Sequence, residues 1–343
     1  MVIPPIHGLV AGFPCTTASG LNKFSNSEAN LSAVETASGA TGECFKQIVD
    51  SLIAQQKEQH ALSLVVLENV PRLARTGRSG HSSLDHVVHE LERQLGFQTV
   101  VWKLNAKDFG SCQSRERLWM IALPKTEADP THESQLQTQM HEWMCRLSGI
   151  EQTPFDEMLL PETDEFVVRA VRQAHVRRAR EHNPVGVKRK QKSKRGRGWV
   201  DTHKLMFNRK GLQWRAAPFL EEEALKANPG LAMLCERQAE VLQYAGVTAS
   251  PERRQEHRVF EVSQDLIRMK GRHTADSIGT IIPRGVWYLT RRARCLVAVE
   301  MLNLQGLYFN KEVLRETSDN LLRDLAGNAF EAGCHLLTTQ AHQ

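Results

Sequence analysis

The sequence predicts an α/β protein whose parallel sheet is interrupted by a less regular inserted domain. Between residues 7 and 123 apolar runs alternate with helical patterns, the order that produces a parallel sheet covered by helices. Polar and charged residues dominate the next stretch, and an apolar helical pattern returns after it. We therefore expect a core at 1–123, an inserted domain at 124–284 and a return of the chain to the core at 285–343.

Four apolar runs predict the strands of this sheet. The run at 62–67 is nearly continuous and β-branched in its middle, as in a strand that is buried on both faces of a parallel sheet. The other three are shorter or alternate between apolar and polar residues, and they lie at Leu9–Ala11, Phe97–Leu104 and Leu118–Leu123.

Two segments have the three-and-four spacing of amphipathic helices, Cys44–Ile53 and Leu84–Leu95. The second is followed by Gly96, a residue suited to end a helix. A helical pattern returns in Thr290–Leu304. The C-terminal stretch Asn320–Leu337 predicts a helix, a turn at Gly327-Asn328 and a further apolar segment.

The composition narrows the class of protein. The 343 residues are 41% hydrophobic and 24% charged, a globular balance that excludes wholesale disorder and fibrous repeats. No apolar run reaches the ~20 residues that span a bilayer. Seven cysteines are scattered without a CxxC pair, which argues against a zinc ribbon and against a disulfide scaffold. We expect an intracellular protein in a reducing compartment.

The net charge of +5 is unevenly distributed. From Lys188 to Gly198 nearly every residue is a cation or a glycine, and we call this segment the basic arm. Such a run cannot enter a core without losing the hydration of its charges. It therefore predicts a solvated arm that binds polyanions through counterion release. A nuclear-import signal, or a merely soluble loop, is the alternative that the segment alone leaves open.

Cys15 is a candidate nucleophile. It directly follows a predicted strand, in Gly12-Phe13-Pro14-Cys15, and open α/β sheets bind ligands where strands end. The rigid Pro14 limits the freedom of the loop, although a reactive thiol would also need a lowered pKa. The alternative is a small, buried and apolar cysteine.

Two further sequence motifs place charged residues directly beside the end of a predicted strand. Glu68, followed by Asn69, lies at the end of the buried run, where a raised pKa would suit a proton donor; otherwise it caps the following helix. Arg115 and Arg117 precede the last strand. Side chains two apart on an extended chain point the same way, as a clamp on an anion or a base edge requires. The alternative is a charged edge paired internally through Glu116.

A fourth string, Gly327-Asn328-Ala329, offers an asparagine that caps a helix or binds a ligand amine. In order and spacing the strings resemble the cytosine-C5 methyltransferase family. That family carries a Pro-Cys loop, a Glu-Asn-Val strand end, a Gln-x-Arg-x-Arg strand, a Leu-Gln-Gly element and a terminal Gly-Asn-Ala/Ser turn. Here they read LVAGFPCTTASGLN, LVVLENVPRL, FGSCQSRERLWMIAL, LNLQGLYF and LAGNAF.

The resemblance covers essentially the whole chain. It implies a partial Rossmann-like, class I methyltransferase sheet with a target-recognition domain at 124–284. It also implies that Cys15 adds to C6 of cytosine, that Glu68 hydrogen-bonds or protonates N3, and that Asn69 fixes the loop. Arg115 and Arg117 would hold the ring oxygen and the nearby backbone. The other implied substrate-binding residues are Gln113, Lys188, Arg189, Lys190 and Arg195.

The resemblance further implies S-adenosylmethionine as cofactor, contacted by Pro14, Asn328 and Ala329, and a flipped base of double-stranded DNA. The basic arm predicts a nuclear protein, or a protein of the cytoplasm or nucleoid if the source is prokaryotic. The family's opening Phe-x-Gly-x-Gly loop is missing. Only fourteen positions precede Cys15, whereas one βαβ unit needs at least ~30 residues. We therefore expect a chain truncated at its N-terminus that binds the cofactor weakly or not at all alone, or a partner chain that supplies the missing half.

Three functions are consistent with these observations. The first is a DNA cytosine-C5 methyltransferase, the second a non-catalytic DNA-binding or regulatory relative without cofactor binding, and the third an RNA cytosine-C5 methyltransferase. The long recognition region with its basic arm favours a duplex ligand. Trp199 and Trp214, which flank cations, are the aromatic candidates for contact with DNA.

Overall fold

The computed structural model describes most of the 343-residue chain. None of the described helices is both long and apolar enough to cross a membrane. The contacts predicted for Lys188, Arg189, Lys190 and Arg195 lie outside the described residues. The structure describes residues 6–19, 22, 24–58, 62–125, 138, 141–142, 144–146, 148–182, 198–216, 220–248, 259–268, 273–274 and 277–330.

Strands and helices alternate at first, and shorter elements follow. The described strands are β1 (Gly8–Gly12), β2 (Leu64–Asn69), β3 (Phe97–Asn105), β4 (Gln113–Ser114), β5 (Glu116–Pro124), β6 (Val259–Glu261), β7 (His273–Thr274), β8 (Ile278–Gly279), β9 (Trp287–Leu289) and β10 (Arg294–Cys295). The described helices are α1 (Glu28–Leu31), α2 (Gly39–Lys57), α3 (Ser83–His89), α4 (Glu165–His182), α5 (Trp199–Arg209), α6 (Glu222–Ala227), α7 (Glu236–Thr248), α8 (Ala298–Asn303), α9 (Lys311–Glu316) and α10 (Asp319–Asn328).

The chain divides into two compact units. The first contains Met1–Ser111, Arg115–Gln152 and Phe330–Gln343, and the second contains Cys112–Ser114 and Thr153–Ala329. These units are defined by contacts within the fold. The functional boundaries expected at residues 124 and 284 stay predictions.

The first unit is built on a four-stranded sheet in the order β1-β2-β5-β3. β1 and β2 are parallel, with Gly12 opposite Glu68. All six residues of β2 are buried, as the continuous apolar run predicts for a strand covered on both faces. The α/β class is therefore confirmed. β2 begins two residues later than the run at 62–67, so that Glu68 and Asn69 are its last residues.

The direction of β5 differs from the expected all-parallel sheet. β5 lies between β2 and β3 and is antiparallel to both. The chain between β3 and β5 spans only residues 106–115, with a 3-10 turn at Ala106–Phe109. A parallel crossover needs a dozen or more residues, so this short connection makes the chain reverse.

The helices predicted in the first unit are confirmed, with different ends. α2 is longer than its pattern on both sides, and its Phe45, Val49 and Leu52 pack in one core with β2. α3 is shorter and continues as a π-helical turn at Glu90–Gln94. Gly96 follows with a φ of 68°, a left-handed conformation that glycine adopts without a steric penalty.

The second unit contains an antiparallel sheet in the order β10-β9-β6-β7 and a parallel pair, β4 and β8. The helix predicted over Thr290–Leu304 is wrong in its first half. Ala293 has a positive φ of 52° in the turn from β9 to β10, and only Ala298–Asn303 is helical. Arg294 is buried there and donates to the Glu300 carboxylate at 2.8 and 2.9 Å, an ion pair that local periodicity cannot show.

The C-terminal helix α10 includes residues that the sequence predicted as a separate turn. Gly327 and Asn328 are its last two residues and Ala329 is its C-cap, so that prediction is wrong. The apolar segment expected up to Leu337 lies outside the described residues. A Cβ on Gly327 would lie 2.0 Å from the backbone nitrogen of Pro283, so only glycine lets the helix approach the main chain this closely.

Replacing Gly327 with alanine is expected to destabilise the second unit. The added methyl group would meet backbone that cannot rotate away, and overpacking of this kind costs about 1–3 kcal/mol. Urea unfolding followed by circular dichroism measures the change. Gly246→Ala in α7 is the matched control: its Cβ would meet nothing within 4 Å, so the alanine should stabilise the helix by up to about 1 kcal/mol. Equal effects of the two substitutions would contradict the steric explanation.

Candidate active site

Cys15 and Glu68 lie at the same edge of the first sheet. β1 and β2 are parallel neighbours, so their carboxyl ends meet where open α/β sheets bind ligands. Glu68 is opposite Gly12, the last residue of β1, and Cys15 follows three positions later. The Glu68 Oε2 atom lies 3.2 Å from the position that a Gly12 Cβ would take. The carboxyl group therefore reaches across to the start of the loop at 13–19, which carries Cys15 and which we call the cysteine loop.

The cysteine loop is anchored on both sides of the thiol. Asn69, nearly fully buried, donates from Nδ2 to the Phe13 carbonyl at 3.1 Å. The Phe13 ring is buried against Phe45 of α2, with ring centroids 5.5 Å apart. After the thiol, the Ser19 N–H donates to the Cys15 carbonyl at 2.7 Å. Asn69 thus contacts the loop that carries Cys15, and the role in fixing this loop that the resemblance implies stays a prediction.

The Glu68 carboxylate is paired with Arg117. Arg117 Nε donates to Glu68 Oε1 at 2.8 Å, and the two side chains are only 15% and 11% exposed. The pair exists because β5 runs antiparallel beside β2, which brings the start of β5 to the end of β2. Arg115 is nearly fully buried just before β5, and its backbone N–H donates to Asn105 Oδ1 at 2.9 Å. Both predicted arginines thus belong to the same cluster.

The charges in this cluster act on one another. Burial raises the pKa of the Glu68 carboxyl above its usual range, while the Arg117 and Arg115 guanidiniums act in the opposite direction. Burial also raises the pKa of the Cys15 thiol; Arg117 and Arg115 lower it, and the Glu68 carboxylate raises it. The cluster therefore combines a thiol, a carboxyl group that retains its proton more readily than usual, and two guanidiniums whose charges act on both.

Gln113 does not belong to this cluster. It is fully buried in the second unit, where its Nε2 donates to the Leu304 carbonyl at 3.2 Å and to Gln305 Oε1 at 3.1 Å. Its Oε1 accepts from the Ile281 N–H at 3.1 Å. The Gln113 amide thus forms hydrogen bonds within the second unit, and the substrate contact named for it stays a prediction.

The residues named for the cofactor are divided between the units. Pro14 is half-buried in the first unit, whereas exposed Asn328 and half-buried Ala329 belong to the second. S-adenosylmethionine carries an ammonium group and ribose hydroxyls, for which carboxylates are suitable partners. These three residues supply one side-chain amide and no carboxylate. They do not fit the whole cofactor.

The two tryptophans named for DNA contact have different surroundings. Trp214 belongs to the core of the second unit: its Nε1 donates to buried Glu240 at 3.1 Å, and Lys204 Nζ lies 4.8 Å from its ring centroid. Trp199, the first residue of α5, is half-buried, and its ring lies 4.9 Å from that of His203.

The segment that follows the cysteine loop is ordered by asparagine side chains, which the motifs in the sequence did not indicate. Asn22 donates from Nδ2 to the Thr16 carbonyl at 2.9 Å and accepts from the Phe24 N–H at 2.9 Å. Asn30 Nδ2 donates to the Phe24 carbonyl at 2.7 Å. The Phe24 side chain itself is 72% exposed. In the sequence this segment is marked by asparagines at four-residue intervals near Phe24, namely Asn22, Asn26 and Asn30.

Comparison with protein families and curated proteins gives matches over nearly the whole chain. A family model described as C-5 cytosine-specific DNA methylase matches residues 2–332. The chain is similar to the DNA (cytosine-5-)-methyltransferase DMT5 of Cryptococcus neoformans var. grubii, with 24% identity over 357 aligned residues. This match covers 97% of the chain and 14% of DMT5, so the chain spans a small part of that relative's length.

Two solved structures are similar at low identity. The Entamoeba histolytica methyltransferase EhMeth aligns with a TM-score of 0.47 and 10% identity, covering 98% of this chain and 76% of that one. The S. pombe Dnmt2 methyltransferase aligns with a TM-score of 0.41 and 10% identity, with the same two coverages.

Proposed function

The chain belongs to the C-5 cytosine-specific DNA methylase family, and from this premise we propose that it is a DNA (cytosine-5-)-methyltransferase. The proposed reaction passes through a covalent adduct between Cys15 and a flipped cytosine. The observation that carries the proposal is the cluster at the ends of β1 and β2. There Arg117 Nε donates to the Glu68 carboxylate at 2.8 Å, and this carboxylate raises the pKa of the Cys15 thiol.

The cluster supplies what the chemistry of cytosine requires. C5 is a poor nucleophile until a thiolate adds to C6, which forms an S–C6 bond and breaks the C5=C6 double bond. The electrons released into the ring are balanced by a proton delivered to N3, and Glu68 with its raised pKa is a suitable donor. C5 is then the methyl acceptor. Loss of the C5 proton to water and cleavage of S–C6 restore the double bond and the Cys15 thiolate, and N3 returns its proton to Glu68.

The productive protonation state pairs a Cys15 thiolate with a neutral Glu68. Two negative charges in one buried cluster oppose each other, so both groups are not readily ionised together. With Glu68 neutral, Arg117 and Arg115 remain as the charges that stabilise the thiolate. Arg115 is the proposed contact for the ring oxygen, and Asn69 holds the loop through the Phe13 carbonyl.

The proposed substrate is duplex DNA in the nucleus, with the basic arm on its phosphates. A base inside a duplex cannot reach a pocket of this kind, so it is flipped out at a cost of a few kcal/mol. S-adenosylmethionine is the proposed methyl donor. Since Pro14, Asn328 and Ala329 do not fit the whole cofactor, the proposal includes a partner chain that completes its site.

Exchange of the C5 hydrogen tests the proposal without requiring a complete cofactor site. Addition of the thiolate makes C5 exchangeable, so duplex DNA carrying 5-tritiated cytosine should release tritium to water in the presence of the chain. Tritium release, and methyl incorporation from S-adenosylmethionine, are then measured on the same duplex and on a structured RNA that also carries 5-tritiated cytosine. Release of tritium from the RNA alone would support the RNA methyltransferase. Binding of the duplex without any release would support the non-catalytic relative.

A further inference from the structure

A cleft of about 1030 Å³ lies entirely within the second unit. Its walls are formed by α4, the start of α7, the turn at 284–286 and α10. Arginines outnumber acids among the residues that line it. The arginines are Arg177, Arg178, Arg237, Arg284 and Arg323, and the acids are Glu236 and Asp324.

Two of these arginines are held in place without losing their charge. Arg237 donates to consecutive main-chain carbonyls at 263–264, at 2.5 and 3.0 Å. Arg323 donates to the Gly285 and Leu296 carbonyls at 3.3 and 3.1 Å. Carbonyl oxygens fix the direction of a guanidinium group but do not neutralise it. Among the described residues, neither arginine forms an ion pair with a carboxylate.

Two more arginines are exposed at the cleft. Arg177 on α4 and Arg284 form no ion pair with any described carboxylate. Arg284 also has a φ of 61°, between Pro283 and Gly285. Residues other than glycine, asparagine and aspartate seldom adopt this conformation, and such outliers concentrate at functional sites. Arg284 thus has a long cationic side chain at a backbone position that glycine or asparagine usually occupies.

Both ends of the segment that carries the basic arm line this cleft. Arg178 lies near the end of α4, and Trp199 begins α5 on the other side of the arm. In the sequence, seven lysines and arginines lie from Lys188 to Arg197. Described residues on either side of the arm therefore line the cleft.

We propose that this arginine cleft is an accessory, sequence-independent site for the sugar–phosphate backbone of a nucleic acid. Guanidinium groups bind phosphate bidentately and carry their charge at every accessible pH. A ligand with one charge per nucleotide matches the four arginines of the cleft that form no ion pair with a described carboxylate. The inference rests on the proposed function only for the class of ligand.

The test is fluorescence anisotropy of a short labelled DNA duplex with the full chain and no cofactor. The double variant Arg177→Gln/Arg284→Asn removes two cleft charges, and asparagine tolerates the positive φ at position 284. Binding at moderate salt should weaken about tenfold, and the slope of log K against log salt should fall by about two. The control Arg209→Gln/Lys210→Gln removes two exposed cations at the end of α5 that do not line the cleft, and it should change affinity less than twofold.

Equal weakening by both double variants, or an unchanged affinity of the cleft variant, would overturn the inference, as would failure of the parent chain to bind the duplex. Polyglutamate of matched charge is added as competitor; competition as strong as that of unlabelled duplex would reassign the cleft to acidic polypeptides. The cleft variant should still release tritium from 5-tritiated cytosine at saturating duplex. Absence of exchange in the parent chain, with its binding of the duplex intact, would instead count against the proposed function.

Discussion

Replacing Cys15 with alanine is expected to abolish both release of C5 tritium and methyl transfer, by more than about 10⁴-fold. No other group in the cluster can form the bond to C6: Glu68 is a weak nucleophile, and Arg115 and Arg117 are cations. The substitution removes only a sulfur atom from a half-buried position, so the loop should remain anchored through the Asn69–Phe13 hydrogen bond. Denaturing gels of the chain with 5-fluorocytosine duplex should show no retarded adduct.

Cys44→Ala is the matched control for this prediction. Cys44 is another free, half-buried cysteine of the first unit, located on α2 rather than in the loop. Its substitution should leave exchange within about twofold of the parent chain, because a half-buried cysteine behaves as a small apolar side chain. Exchange that persists in Cys15→Ala at a tenth of the parent rate would rule out the proposed nucleophile.

Replacing Glu68 with glutamine is expected to slow exchange by roughly 10²–10⁴-fold, the usual contribution of a general acid. Glutamine keeps the shape of the side chain but cannot deliver a proton to N3. Glu116→Gln is the control: Glu116 is an exposed acid on the same strand as Arg117, paired with Lys103 at 3.5 Å, and its loss should have little effect on the rate.

The pH dependence should distinguish loss of the acid from simple disruption. In the parent chain exchange needs a thiolate and a neutral carboxyl group, so the rate rises with pH, passes a maximum and falls once both groups are ionised. Without Glu68 the fall at high pH should disappear. The rising limb should also extend to higher pH, because it then follows ionisation of the Cys15 thiol alone, whereas the first proton lost from the pair in the parent chain is mainly that of the Glu68 carboxyl group. A profile in Glu68→Gln that is lowered but unchanged in shape would contradict the assignment.

Local patterns predicted the elements that lie around the site. The continuous apolar run located β2, and the three-and-four spacing located α2, because burial on both faces and burial on one helical face each leave a regular mark on the sequence. The same reasoning failed at 290–297, where apolar residues form a hairpin held by the Arg294–Glu300 ion pair. A periodicity has no information about a charged partner six residues away.

The sequence by itself determined which chemical groups stand at the strand ends: Cys15 after β1 and Glu68 at the end of β2, on neighbouring parallel strands. Only the tertiary structure decided that Arg117 pairs with Glu68, and that Gln113 forms a hydrogen bond with Gln305 inside the second unit. The physical reason is that strand direction and burial depend on segments far apart in the chain. The short connection before β5 reverses the direction of the chain, which brings Arg117 to Glu68. Desolvation by distant residues raises the pKa values of the Cys15 thiol and the Glu68 carboxyl group.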